Sequence, residues 1–116
     1  MKKLSALSLL VTSLVALPVA AHHGWSRYDN DKPITLTGKV VEASYTYPHG
    51  TIKLDAAGKT WLAVLAPPSR MSARGLSSDD LKPGIQATVE GYPNRDDPAE
   101  MRAERITIGG KTTELR

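Results

Sequence analysis

Three histidines carry the sharpest chemistry in this 116-residue chain: His22 and His23 side by side, and His49 alone in a Pro48-His49-Gly50 turn. If a leader is cut after Ala21, His22 becomes the first residue of the mature protein. A terminal histidine chelates a metal through its α-amine and ring nitrogen together, and one further imidazole completes a T-shaped nitrogen set, a histidine brace. His49 is the better third ligand, because His23 would have to fold back over a single peptide bond. His23 takes that place if the arm carrying it is flexible. Nitrogen-only ligands in tetragonal geometry select Cu(II) over magnesium or calcium, so copper is the expected cofactor. The amine, with a reference pKa of about 7.7 to 8.0, must lose its proton, so affinity weakens as pH falls.

Cleavage one residue earlier changes the coordination set. A mature Ala21-His22-His23 terminus binds Cu(II) or Ni(II) in a square plane of amine, two deprotonated amides and the His23 imidazole, and His49 is then dispensable. The bland alternative is that His22 and His23 are solvated and that His49 hydrogen-bonds a neighbouring carbonyl.

Other constellations are weaker. Met71 and Met101 could act as soft Cu(I) ligands, but their spacing reads as core plugs. Trp25, Tyr45 and Tyr47 are candidates for a ligand-binding surface, whereas Trp61 sits in an apolar strand and reads as core. Asp96, Asp97 and Glu100 fall between or beside Pro93 and Pro98 in a solvated turn, without calcium-loop spacing. There is no Gly-x-Ser-x-Gly element and no phosphate-binding glycine loop, since Gly109-Gly110 sits between short strands. No catalytic residues are expected.

The elements that must position these residues follow from pattern and composition. Lys2-Lys3, the apolar run Leu4 to Leu17 and the small residues Pro18 to Ala21 form a secretory signal peptide over residues 1–21. Its apolar run is too short for a span of about 20 residues, so a released, periplasmic protein without a membrane anchor is expected. The formal net charge is +3, from 15 basic and 12 acidic side chains. Without Lys2 and Lys3 that falls to 13 against 12, which excludes the concentrated basic face that nucleic-acid binding needs. Cysteine is absent, so residues 22–116 must fold as a single domain on one core without disulfides.

Residues 22–32 read as a polar arm laid against that domain. From Pro33 to Tyr47 runs a long strand whose two-residue period slips after Val40, beside Gly38. Such a slip bends one strand to serve both halves of a small barrel. Pro48 ends it, Gly50 allows a positive φ, and His49 is placed at a hairpin tip or the barrel rim. Thr51 to Asp55 forms a second strand. Ala57-Gly58 turns into a third, Lys59 to Ala66, central and well buried. After Pro67-Pro68, Ser69 caps a short helix over Arg70 to Arg74 that Gly75 ends, with Met71 and Leu76 plugging the barrel. Pro83-Gly84 makes a type II turn, and strands follow over Ile85 to Tyr92, Met101 to Ile108 and Lys111 to Leu115. This order is that of an all-β, OB-like barrel of five or six strands with one short helix between strands three and four.

The His22-His23 start, Lys32-Pro33, Leu36-Thr37-Gly38, Pro48-His49, Leu81-Lys82-Pro83-Gly84 and Gly91-Tyr92-Pro93 together resemble a family of small secreted bacterial proteins of unknown function. Its members read Asn-Pro-His where this chain has Tyr47-Pro48-His49, which removes one polar neighbour of the histidine. The resemblance implies secretion and a small barrel, and assigns no activity. Taken together, the residues point to a non-enzymatic copper-handling or delivery protein using His22, His49 and His23. The alternative is a metal-free OB-type module that binds a peptide, glycan or envelope protein through the tyrosine face.

Overall fold

The computed structural model describes residues 24–116. The expectations for the signal peptide, the cleavage point, His22 and His23 lie outside them. Six strands, β1 (Ile34–Ser44), β2 (Thr51–Ala56), β3 (Lys59–Val64), β4 (Gln86–Pro93), β5 (Glu100–Ile108) and β6 (Lys111–Glu114), form one sheet in the order β3-β2-β1-β4-β5-β6, and a parallel β3–β5 pairing closes the first five into a barrel. This is the OB-like architecture expected from the strand order, with β6 added outside the closed barrel.

Strand β1 pairs with β4 through Ile34 to Lys39 and with β2 from Lys39 to Ser44. Lys39 has partners on both sides, so this strand does serve both halves. The slip is a bulge between Val40 and Glu42, and the extra residue Val41 is 43% exposed. Gly38 has a separate role: a Cβ there would overlap the Asp55 carbonyl of β2, so only glycine lets the strands approach at the corner. The turn to β3 uses Ala57 and Gly58, both at positive φ.

Strand β3 is shorter and wetter than its apolar sequence suggests. Only Ala63 in it is fully buried, while Trp61, Leu62 and Val64 are half-buried. The reason is its place at the closure, where it meets β5 through only Leu62, Ala63 and Val64. The fully buried Leu65 and Ala66 lie just beyond its end.

Helix α1 spans Pro68–Ala73, and Ser69 does not cap it. Pro68 occupies the first turn, where its fixed φ and missing N–H cost nothing, and this moves the start two residues earlier than a serine cap would. Gly75 follows the helix at φ 83°. Met71 and Leu76 plug the barrel end with 0% and 4% exposure, and Met101 is equally buried. The two sulfurs are therefore core groups. A 3-10 turn, Ser78–Leu81, is opened by a capping box in which Ser77 and Asp80 satisfy each other. The Ile85 N–H bonds the Lys82 carbonyl across Pro83-Gly84, with Gly84 at φ 94°, as a type II turn requires. Strand β6 completes the sheet against β5. The core inside comprises Leu36, Val40, Ile52, Leu54, Ala87, Val89, Ile106 and their neighbours.

Candidate functional site

His49 sits between β1 and β2, after a cis Tyr47–Pro48 peptide. Gly50 fixes it to the barrel: its N–H bonds the Ala66 carbonyl at 2.9 Å and its carbonyl accepts from Leu65 at 2.8 Å. The expected positive φ at Gly50 is not found. Glycine is required there because a Cβ would stand 2.5 Å from the Met71 methyl and 3.3 Å from the Ser44 carbonyl.

The partner of His49 is Arg102, not a backbone carbonyl. Arg102 Nη2 lies 3.2 Å from His49 Nε2, and since a guanidinium only donates, Nε2 accepts and the ring proton sits on Nδ1. Burial, the Arg102 charge and the Arg70 charge all hold the His49 pKa below its usual 6.5, so the ring is neutral at pH 7.

Arg102 belongs to β5 and is only 7% exposed, although its neighbours Met101 and Ala103 fill the barrel core and its own side chain points outward. What covers it is the arm. The described part of the arm opens with a 3-10 turn, Gly24–Arg27, whose Trp25 ring lies 4.6 Å from the Arg102 guanidinium carbon. The Arg116 guanidinium carbon is 4.5 Å from the same ring, and Tyr92 meets it edge-on at 6.1 Å. Tyr28 locks the arm down. It is 6% exposed, pairs with Asn94 across an isolated bridge, and donates its hydroxyl to Glu100 at 2.8 Å. Burial first and the Glu100 carboxylate second raise its pKa to about 12.

The other sequence-derived candidates are divided by the structure. Tyr45 is tied inward, its hydroxyl donating to the Leu76 carbonyl at 2.6 Å and its ring packed on the core. Tyr47 is 69% exposed and presents the free aromatic face. Trp61 packs partly against the core with Lys59 Nζ 4.0 Å over its ring. Asp96 and Asp97 form the anticipated polar turn, with both amides bonded to Asn94 Oδ1. A groove of about 500 Å³ runs beside the β2–β3 hairpin, lined by residues including Asp55, Lys59 and Thr60. Thr60 is bonded to Asp55 and Lys59 to the Pro98 carbonyl, and the groove includes none of the candidate residues. Among the described residues, no group of three or more histidines, cysteines or carboxylates is placed to hold a metal.

Sequence reasoning missed Arg102, Arg70 and Arg116. Arg102 occupies an outward strand position, which by local pattern is solvated, and its burial comes from a tryptophan far back in the chain. No curated protein matches the chain. Residues 10–102, a stretch that includes Trp25, His49, Arg70 and Arg102, match the model of a family of unknown function (DUF6152), and the chain belongs to that family.

Proposed function

We propose that the protein binds a metal ion, copper in particular, at the junction between its arm and its barrel, through His22 and His49 with His23 as the alternative third ligand. Handling or delivery is the role this fits. One observation carries the reading: Trp25 rests on Arg102, and Arg102 bonds His49. His22 and His23 precede Trp25 by three and two residues. Three residues of chain reach at most about 11 Å, so the arm leads off from the neighbourhood of His49.

The donor chemistry fits, on one condition. His49 is neutral and offers a lone pair, but that lone pair already accepts from Arg102. A metal at Nε2 must therefore displace the guanidinium, exchanging a charge-assisted hydrogen bond for coordination. Bound copper would supply Lewis acidity and redox capacity. The residues of this chain orient the imidazole through Gly50 and keep it unprotonated through burial and the nearby positive charge.

The test is native mass spectrometry and electron paramagnetic resonance of protein processed by its host, with Cu(II) added to one equivalent. One bound copper and a nitrogen-rich spectrum that changes in His49→Ala are expected. An unchanged spectrum removes His49 from the ligand set, and retained affinity after adding one residue before His22 removes the terminal amine.

Tyr47 favours a second reading. A 69% exposed aromatic ring next to the rim suits a metal-free module that captures a peptide, glycan or envelope protein. In that case Tyr47→Ala weakens capture while His49→Ala does not.

A further inference from the structure

Positive charge gathers around Trp25, and at Arg102 it has no matching negative charge. Arg102 is 7% exposed, its Nε is buried without a hydrogen-bond partner, and no carboxylate of the described residues forms an ion pair with it. The acids two positions away along β5 are otherwise engaged. Glu100 accepts from Tyr28 at 2.8 Å and from Asn94 at 2.6 Å. Glu104 accepts from Tyr92 at 2.9 Å and lies 3.6 Å from Arg116. Arg116 shares the Trp25 ring with Arg102, so the two guanidinium carbons stand no farther apart than their distances of 4.5 and 4.6 Å to the ring centre jointly allow. Arg70, from α1, bonds the Leu115 carbonyl at 3.0 Å and is close enough for its charge to act on both His49 and Arg102. A buried guanidinium without a counter-charge is unfavourable, and a protein that keeps one gains when an anion arrives.

We propose that Arg70, Arg102 and Arg116 form a receptor for a small oxyanion, a carboxylate or a phosphate group. Arg102 is the fixed member, held by His49 on one side and Trp25 on the other. Arg70 and Arg116 are both exposed and can close on the ligand, and paired guanidinium N–H groups match the oxygens of either anion. The site does not depend on metal binding. An anion there would also offset the repulsion that the three guanidinia exert on a cation at His49.

The experiment is isothermal titration of the metal-free protein with inorganic phosphate and, separately, with citrate, ionic strength being matched with chloride. Saturable one-site binding is expected for at least one of them, and which one identifies the group. Arg70→Gln and Arg116→Gln change exposed side chains and should each weaken binding by about tenfold, in line with loss of a charge-assisted hydrogen bond. Lys111→Gln removes the same charge from a side chain that bonds the Gly75 carbonyl instead of facing Trp25, and should leave affinity within about twofold, since salt screens an exposed charge that does not touch the ligand. The proposal fails if neither anion binds, if the Arg70→Gln, Arg116→Gln double variant binds as well as the parent, or if Lys111→Gln weakens binding equally. Copper uptake measured on the same samples separates this failure from that of the metal reading.

Discussion

Replacing Trp25 by alanine tests whether the arm is a structural part of the site. The ring lies over two guanidinium groups, at 4.6 and 4.5 Å, and meets Tyr92 edge-on at 6.1 Å with the planes at 81°. A cation–π contact contributes about 0.5 to 1 kcal/mol when exposed, which suits Arg116, and up to about 2 kcal/mol when desolvated, which suits Arg102. The aromatic pair adds about 0.5 to 1.5 kcal/mol. Because Trp25 is half-buried and the unfolded chain keeps part of these contacts, a net loss of about 2 to 3 kcal/mol is expected. For a domain of this size each kcal/mol moves Tm by about 4 to 8 °C, so melting should fall by about 10 to 20 °C. Urea denaturation followed by circular dichroism gives the free energy directly, and a cycle with Arg102→Met isolates the pair, with a coupling of about 1 to 2 kcal/mol. A Trp25→Ala loss below about 0.5 kcal/mol, or zero coupling to Arg102, would show that the ring does not rest on the guanidinium, and the reading of the junction would fall with it.

Gly38→Ala puts a Cβ on the Asp55 carbonyl, a backbone atom that cannot swing aside, and should cost 3 kcal/mol or more, on the order of the severest overpacking changes; near-parental urea stability would mean that the β1 corner is looser than described. Asp80 is an exposed carboxylate whose pKa is held down first by the Ser77 N–H and then by the Ser77 hydroxyl. Its folded pKa lies below its unfolded one, so its contribution is complete above about pH 3.9 and disappears as pH falls through the folded value. Asp80→Asn should therefore flatten the acid limb of the stability profile below about pH 4, and an unchanged limb would remove the capping box as its source.

The fold was legible because its signals are local. The period slip after Val40 marked the strand that serves both halves of the barrel, and Pro83-Gly84 and Ala57-Gly58 named their turns through residue chemistry alone. The misreadings came from contacts that sequence spacing cannot register. Gly50 looked like a turn residue needing positive φ, yet it is glycine because the Met71 methyl approaches it from α1. The run TWLAVL looked like a buried central strand, yet β3 closes the barrel through three pairs and stays half-wet. Of the junction, His49 and Trp25 were legible in the sequence, as an imidazole in a turn and an aromatic anchor on a polar arm. Arginine in a strand draws no notice, and Arg102 gains its meaning from Trp25 and His49, each supplied by a distant part of the chain.

The parallel pairing that shuts the barrel ends at Val64 and Arg102. Arg102 is thus at once the last rung of the seam and the residue that holds His49. Closing this seam brings together chain segments far apart in sequence, which makes it an entropically demanding, non-local event. Until it closes, His49 has no guanidinium beside it and Trp25 has nothing to lie on. Local opening at the seam, which rests on three residue pairs, dismantles the junction while most of the sheet survives. A ligand held at the junction would therefore be thermodynamically linked to barrel closure: its binding would tighten the seam, and loosening the seam would release it.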